Sequence, residues 1–490
     1  MGTLAVALLL IGFIAALGLI WRRPFLGLGF LVAGTAFHNF ILMILLRLGT
    51  PGLLVRVFQV WKEAILASLA LAALLLAHRW WRQGRLPKLV VADWLAMAFA
   101  AVILIYFALP QHWLGGQSNL TERLLAFRSA IYLPVIYFLG RGFATQAAEG
   151  DQAWVAWMIT GAAAVVGGFG MVELFLLPTR IWVDWGENLF NAWLGFNYNG
   201  PGHLPDNFFQ TLPGGSLLLR RMVSTYLSPL GIAYTGVMVV PVAVLLVEWS
   251  RTRSRRVLAT AAASLTLLLL GILFSVTRLA IGCLVVEAAL MAVVMRERWL
   301  AALTVVVMIA AAAIFLVYPK LGPVVDRDLN STRANYKTSI VSTQDPSAQE
   351  HSLFLIGDAT LVIHHPLGVG LGSAVFRYGS ATRSGESAVL SFFVDMGVLG
   401  GLIYLAMYLI GILHGYRAYR LLPRRSLAAA LPLAASLGGV ALFPITMTSD
   451  IWGATAVTYL FWWAAGHAAT LVSHRGASGT TEPIPLERAV

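Results

Sequence analysis

The stretch VLATAAASLTLLLLGILFS, residues 257–275, carries no charged side chain and is about as long as a helix needs to be to cross a bilayer, ~20 residues. Comparable apolar runs recur along the chain, and each predicts a transmembrane helix. The predicted spans lie near residues 3–20, 25–46, 57–77, 89–109, 128–143, 153–177, 228–248, 257–275, 279–295, 299–318, 389–413, 426–447 and 453–472. We therefore expect an all-α polytopic membrane protein with about twelve or thirteen transmembrane helices.

The composition of the whole chain also indicates a membrane protein. Of 490 residues, 59% are apolar and only 11% are charged, and the mean hydropathy of +0.79 is too high for a soluble domain of this size. The net charge of +12 does not imply a nucleic-acid partner, because Lys and Arg also orient loops against an anionic leaflet. With Cys283 as its single cysteine, the chain can form neither an intrachain disulfide nor a cysteine-based metal cluster.

Short basic loops alternate along the chain with the other loops, and this alternation predicts the orientation of the spans. Short basic loops, such as those containing Arg22, Arg253 and Arg424, are expected to be cytoplasmic. Two long loops, 178–226 and 319–388, then lie on the outer face of the membrane. We expect residues 1–475 to form a single transmembrane helical domain and residues 476–490 to be a disordered cytoplasmic tail.

Several arginines nevertheless fall in or beside the outer loops, against this trend. They are Arg123, Arg128, Arg220, Arg221, Arg278, Arg327, Arg333, Arg377 and Arg383. Any one of them can pair with a phospholipid headgroup or a nearby carboxylate. Several converging arginines would instead suit a phosphate or diphosphate ligand, because the guanidinium is a permanently charged fork that binds phosphate in a bidentate manner.

One outer segment combines a glycine-rich turn with a carboxylate at the start of a helix. Residues 364–373 read HHPLGVGLGS, and residues 385–401 read GESAVLSFFVDMGVLGG. The glycines permit a tight turn or a close approach to a ligand. Glu386 is either a capping carboxylate or a proton acceptor, and His364 and His365 are alternative bases or interfacial hydrogen-bonding residues. Asp395 lies off the face of Glu386 and is expected to pack against another helix.

Four further segments of the sequence belong together. They are WKE at 61–63 with AFRSAIYLPVIYFLGRGF at 126–143, RRMVSTYLSP at 220–229, FSVTRLAIG at 274–282, and HHPLGVGLGS followed by ESAVLSFFVDMGVLGG at 386–401. Together they resemble the O-antigen ligase and polymerase superfamily, the Wzy/WaaL-type membrane glycosyltransferases of bacterial envelopes. The resemblance covers roughly residues 57–415, and only its last element is distinctive by itself. The resemblance implies a GT-C-like architecture.

The resemblance also implies a reaction, the transfer of a glycan from undecaprenyl diphosphate to a hydroxyl of an acceptor sugar or a lipid-linked acceptor on the periplasmic face. By this resemblance Glu386 is the catalytic base, and Arg221 and Arg278 stabilise the departing diphosphate. The residues expected to bind substrate are Arg123, Arg128, Arg220, His364, His365 and Arg377. No metal or other cofactor is expected, although Asp326 and Asp328 form a DxD pattern that binds cations in many lipid-linked transferases.

The subfamily depends on one departure from the family pattern. Ligase-type members carry a catalytic histidine where this chain has Glu386, so a polysaccharide polymerase for exopolysaccharide or O-antigen repeats is favoured over a ligase that caps lipid A-core. The enzyme would be a metal-independent, inverting-type glycosyltransferase, with other polysaccharide-export proteins as candidate partners. A lipid-linked glycan transporter is the alternative from a different class, but transporters place ionisable residues at mid-membrane and show repeated halves.

Overall fold

The computed structural model describes residues 2–84, 87–198, 200–211, 218–326, 329, 346–374 and 386–478. The predicted site residue Arg377 lies outside these residues, as do Arg327, Asp328, Arg333 and Arg383.

The described chain is almost entirely helical. Its α-helices, in chain order, are α1 (Gly2–Arg22), α2 (Leu26–Arg47), α3 (Gly52–Gln59), α4 (Trp61–Arg82), α5 (Val91–Ala108), α6 (Leu120–Phe143), α7 (Glu149–Leu176), α8 (Arg180–Trp185), α9 (Glu187–Leu194), α10 (Pro229–Ser250), α11 (Arg255–Phe274), α12 (Arg278–Met295), α13 (Arg298–Leu316), α14 (Tyr318–Leu321), α15 (Pro346–His364), α16 (Ala388–Leu421), α17 (Ala430–Leu433), α18 (Gly439–Thr448) and α19 (Thr455–Ser478). A π-helical turn, Ala434–Gly438, joins α17 to α18.

Two short strands are the exception. Strand β1 (Phe209–Thr211) pairs antiparallel with β2 (Leu218–Arg220), with Phe209 opposite Arg220. This hairpin lies within the first long loop, which also contains α8 and α9. The loop is therefore a folded structure of helices and strands, and it adds a small β element to an otherwise helical architecture.

Eleven of the helical segments in the described part of the chain are long and apolar enough to cross a membrane. All thirteen predicted spans overlap a helix; those at 3–20 and 453–472 correspond to α1 and α19, which are not among the eleven. The prediction of a helical, multi-pass membrane protein is thus confirmed, because the backbone of a membrane span must satisfy its hydrogen bonds internally.

The chain divides into two compact units. The first unit comprises Met1–Leu71 and Ala153–Ser347. In it, α10 packs against α11 and α12, and α12 packs against α13. Nearly the whole of α10 is buried, as expected for a helix that is apolar on every side.

The second unit comprises Ala72–Gln152 and Ala348–Val490. In it, α19 packs along α6 and α16, and α16 also contacts α5. Arg141 is a buried residue of α6 that pairs with Asp93 of α5 at 2.9 Å. Tyr137 donates a further hydrogen bond to Asp93 at 2.7 Å. A charge buried between helices needs such partners, so this network joins α5 to α6.

Candidate functional site

A strained turn between α11 and α12 forms the centre of the first unit's candidate site. Val276 adopts a left-handed conformation with φ +51°, which is unusual for a β-branched residue. The Ser275 hydroxyl donates to the Ile272 carbonyl at 2.7 Å and accepts from the Thr277 amide at 3.3 Å. These bonds hold the turn against its strain, and strain of this kind is concentrated at functional sites.

Arg221 reaches into this turn from the segment that follows β2. Its Nε donates to the Ser275 carbonyl at 2.8 Å, and one terminal nitrogen donates to the Thr277 hydroxyl at 3.0 Å. The other terminal nitrogen donates to the Asn207 carbonyl at 3.0 Å. All three acceptors are neutral. A guanidinium has five N–H groups, and three bonds from it orient the Arg221 side chain. None of these three acceptors is a carboxylate that would balance the charge of Arg221.

Arg278 is the first residue of α12, directly after the turn. Burial disfavours the charged form of Arg221, and the Arg278 cation repels it. Together these two effects lower the pKa of Arg221 to about 10. Arg221 therefore stays charged at neutral pH. Two partly exposed cations beside a helix N-terminus attract an anion, because the helix dipole and both guanidinium groups act in the same direction.

Arg220, the neighbour of Arg221, has a different environment. Its guanidinium is buried and pairs with the Glu173 carboxylate of α7 at 3.2 Å. Glu173 also accepts a hydrogen bond from the Trp182 indole at 3.0 Å. This ion pair ties β2 to α7 and α8, and it commits the Arg220 charge to a protein carboxylate. The predicted role of Arg220 in substrate binding stays a prediction that this pairing does not favour.

Sequence reasoning missed Glu173, although a signal was present. A carboxylate near the outer end of an apolar span needs a cationic partner. The adjacent arginines, Arg220 and Arg221, offered two candidates, and only the fold decides that Arg220 is the partner.

Asp326, half of the DxD pattern, accepts a hydrogen bond from the Arg180 backbone amide at 3.1 Å. Its predicted companion Asp328 lies outside the described residues. Among the residues that the structure describes, no three His, Cys, Asp or Glu side chains are grouped so that they could hold a metal ion.

The first long loop contains a buried carboxyl group, Glu187, at the start of α9. Its side chain is 1% exposed, and Asn191 donates one hydrogen bond to it at 3.2 Å. Burial raises the pKa of Glu187 to about 8. The group is therefore largely protonated at neutral pH.

In the second unit, the glycine-rich turn folds back onto α16. Gly368, Gly370 and Gly372 all have positive φ values, as the sequence led us to expect for a tight turn. The close approach that these glycines permit is to protein backbone: a Cβ on Gly368 would lie 2.5 Å from the Gly397 amide nitrogen. Gly397 itself has φ +71° and interrupts α16, which gives the turn its docking place.

Asp395 holds this turn, which corrects the expectation that it packs against another helix. Its carboxylate accepts from the backbone amides of Gly372 at 3.0 Å, Ser373 at 3.0 Å and Ala374 at 2.9 Å. A carboxylate that receives three amides is an anchor for the loop. Asp395 thereby joins the turn to α16, the helix that begins two residues after Glu386.

Glu386 does not cap α16, so the capping interpretation is wrong. Ser387 is the N-cap, and its hydroxyl accepts from the Leu390 amide at 3.0 Å. The Glu386 carboxylate instead lies 2.9 Å from Nδ1 of His351, a residue of α15 that sequence reasoning did not consider. Both side chains are partly exposed, at 50% and 37%. The pair is thus an accessible carboxylate with an imidazole beside it, which can accept and pass on a proton.

The remaining predicted site residues of this unit are dispersed. Arg123 donates to the carbonyls of Phe107 and Leu109 at the end of α5, where it satisfies the helix terminus. Arg128 is exposed on α6. His364 and His365 are both exposed at the end of α15, and His364 bonds to the Thr360 carbonyl of its own helix at 2.8 Å. The structure pairs none of these four with Glu386.

No protein-family model matches this chain, and a comparison with curated proteins finds no match.

Proposed function

We propose that this protein is a bacterial inner-membrane polysaccharide polymerase, which transfers a glycan from undecaprenyl diphosphate to an acceptor sugar on the periplasmic face. The proposal joins the resemblance of the sequence to what the two units contain. The observation that carries it is the Arg221–Arg278 turn, where two arginines repel one another and the bonds of Arg221 go to neutral oxygens. Two guanidinium groups at one turn suit an anion with more than one charge, which supports a diphosphate ligand.

A lipid-linked diphosphate meets this requirement. When the glycosidic bond breaks, negative charge develops on the diphosphate oxygen that leaves, and fixed cations stabilise that charge without rearrangement. Arg221 is already oriented by Ser275 and Thr277, so little conformational entropy is lost when it binds phosphate. Arg278 adds a second fork at the start of α12, where the helix dipole also favours an anion.

The resemblance, rather than any contact between the units, assigns the acceptor side of the reaction to Glu386. The hydroxyl oxygen of the acceptor sugar attacks the anomeric carbon, and its proton passes to the Glu386 carboxylate. A new carbon–oxygen bond forms as the bond to the diphosphate breaks, and the electron pair leaves with the diphosphate. One direct displacement of this kind inverts the anomeric configuration. His351, 2.9 Å away, takes up the proton from Glu386 and restores the base.

The donor site is tested by Arg278→Lys and Arg221→Lys, measured as turnover of lipid-linked donor by the purified enzyme. Lysine keeps the charge but loses the bidentate fork, so each variant should lose about 1.5–3 kcal/mol of transition-state stabilisation, or roughly 10- to 100-fold in rate. Arg180→Lys is the matched control, because Arg180 is an outer-loop arginine with an exposed side chain that pairs with Asp184 at 3.8 Å. Near-normal turnover by Arg278→Lys would refute the donor site.

The same assay separates the enzyme from a lipid-linked glycan transporter. A transporter moves the donor across a membrane without breaking the glycosidic bond. A polymerase breaks that bond, and it should therefore release undecaprenyl diphosphate even in detergent, where no membrane divides two compartments. Reporter fusions at Asn335 and Pro423 test the orientation, since we expect a periplasmic reporter at Asn335 and a cytoplasmic one at Pro423. A cytoplasmic reporter at Asn335 would contradict the periplasmic site.

One observation favours the second candidate, an O-antigen ligase. The ligase-type histidine is absent from position 386, but the fold brings His351 to the Glu386 carboxylate from another helix. The glycan profile of a deletion strain distinguishes the two activities. A single repeat on the lipid A-core indicates a lost polymerase, whereas full-length chains that remain on undecaprenyl diphosphate indicate a lost ligase.

A further inference from the structure

Among the candidate membrane spans that the structure describes, four carboxyl groups are at most 1% exposed. Three of them have an arginine partner: Asp93 pairs with Arg141 at 2.9 Å, Glu173 with Arg220 at 3.2 Å, and Glu248 with Arg251 at 3.3 Å. The fourth is Glu287 of α12, which is 0% exposed. A buried carboxylate needs a cationic partner, so the pairing separates Glu287 from the other three.

Neither carboxyl oxygen of Glu287 has a hydrogen-bond partner among the residues that the structure describes. Its helix packs against α10, α11 and α13, and the titratable side chains of those three helices all lie near a helix end. They are Tyr234 and Glu248 of α10, Arg255 and Arg256 of α11, and Arg298 of α13. On α12 itself, Arg278 is the first residue, and Cys283, whose thiol is a weak donor, is buried one turn before Glu287.

Glu287 lies near the middle of its span. It follows Arg278 by nine positions, which is about 14 Å along a helix axis and close to half of the roughly 30 Å hydrocarbon core. At this depth an unpaired carboxylate costs far more free energy than a neutral carboxylic acid. Glu287 therefore carries a proton in this conformation.

The chemistry of the site identifies a proton as its ligand. A metal cation requires several ligands, and the described part of the chain contains no group of three His, Cys, Asp or Glu side chains that could hold one. A proton needs a single carboxylate oxygen, and Glu287 supplies it.

We propose that Glu287 is an intramembrane proton-binding site, protonated while α10–α13 are closed around it and deprotonated when these helices open to water. Binding forms one O–H bond on the carboxylate, and release returns the proton to water. Because the anion is stable only where water reaches it, protonation favours the closed arrangement of the helices. The helix that would move begins at Arg278. This inference goes beyond the proposed glycosyl transfer and does not depend on it.

The first assay labels the full-length protein, in phosphatidylcholine vesicles at neutral pH, with dicyclohexylcarbodiimide, an apolar reagent that enters the hydrocarbon region. The proton of a carboxylic acid passes to one nitrogen of the reagent, and the carboxyl oxygen bonds to its central carbon. The acyl group then moves to a nitrogen, which gives a stable N-acylurea without a leaving group. Peptide mass spectrometry should place this adduct on Glu287. Glu173 and Glu248 are internal controls, because they are equally buried but ion-paired, and they should stay unlabelled.

Two substitutions on α12 identify the labelled group. Glu287→Gln should lose the adduct, because an amide does not add to the reagent. Cys283→Ser should keep it, which excludes the neighbouring thiol as the reactive group. The adduct on the unsubstituted protein is read directly by mass spectrometry, so the assignment does not depend on the folding of either variant.

The second assay is infrared spectroscopy. At neutral pH the unsubstituted protein should show the carbonyl stretch of a protonated carboxyl that is lost in Glu287→Gln, and transfer to D2O should shift this band as the proton exchanges. Glu248→Gln is the matched control and should keep the band, because the Glu248 carboxylate is paired with Arg251.

Three results would overturn the proposal: no adduct on Glu287, adducts on Glu173 or Glu248 as strong as that on Glu287, or no protonated carboxyl band that depends on Glu287. A band that is present but does not shift in D2O would also overturn it, because the proton would then be locked in a purely structural acid.

Discussion

Substitution of Asp395 should release the glycine-rich turn that precedes Glu386. Its carboxylate is buried and accepts the amides of Gly372, Ser373 and Ala374. Asp395→Ala leaves three buried donors without acceptors, at a cost of roughly 1–3 kcal/mol each. Because water can enter the opened turn, we take the lower part of this range and expect the free energy of local opening to fall by about 4 kcal/mol.

Asp395→Asn gives an intermediate result that the geometry specifies. One carboxylate oxygen accepts from both Ser373 and Ala374, and the other accepts from Gly372 alone. The amide of asparagine keeps one oxygen, so it can retain the two bonds of the first oxygen and lose the third. We therefore expect a loss of about 2 kcal/mol, half the effect of Asp395→Ala.

The assay is hydrogen exchange by mass spectrometry on peptides that cover residues 366–374. A loss of about 4 kcal/mol corresponds to roughly a thousandfold faster exchange, and about 2 kcal/mol to roughly thirtyfold. Asp184→Ala is the control, because Asp184 is 59% exposed and its ion pair with Arg180 is weak. If the turn exchanges at the wild-type rate in Asp395→Ala, Asp395 does not anchor it, and the link to α16 inferred for this segment is wrong.

Three further predictions concern stability. Because burial raises the pKa of Glu187 from 4.5 to about 8, the folded state holds a proton that the unfolded state releases, and stability should fall as the pH rises from 4.5 through 8. Glu187→Gln should remove this pH dependence, as measured by thermal unfolding in detergent. An equally steep pH profile in the variant would exclude Glu187 as the source. Asp93→Ala leaves the Arg141 charge buried without its carboxylate and should lower the free energy of unfolding, measured by denaturant titration, by about 3–5 kcal/mol. A loss below about 1 kcal/mol would show that the pair is not buried as described. Gly140→Ala would place a Cβ 2.1 Å from the Trp463 carbonyl and should lower the free energy of unfolding by about 1–3 kcal/mol. In the control Gly142→Ala, on the same helix, the new Cβ meets no atom within 4 Å, so this variant should be neutral or stabilising. Equal melting temperatures for the two variants would argue against this close crossing of α6 and α19.

Within the candidate site, the sequence identified groups by chemistry but not by pairing. Arg220 and Arg221 are adjacent and chemically identical, and nothing in their order distinguishes a structural cation from one available to a ligand. The hairpin makes the distinction, because successive residues leaving a strand point in opposite directions. Arg220 is thereby paired with Glu173, and Arg221 reaches the turn that precedes Arg278.

The same limit applied around Glu386. The glycine spacing predicted a tight turn correctly, since positive φ is a local property of glycine. The partners of that turn are distant in sequence, so periodicity along α16 could not show that Gly372, Ser373 and Ala374 dock on the Asp395 carboxylate. His351 was missed because it precedes Glu386 by thirty-five positions and belongs to a separate helix.

The sequence by itself determined that this chain is a helical, multi-pass membrane protein, because long uncharged runs have one stable solution in a bilayer. It also determined which segments become helices, since that depends on local apolar length. Only the tertiary structure decided which groups pair: Asp93 with Arg141 and Glu173 with Arg220 as ion pairs, and Glu386 with the His351 imidazole. The physical reason is that the energy of an ion pair depends on distance and burial, and both are set by helix packing between residues far apart in the chain.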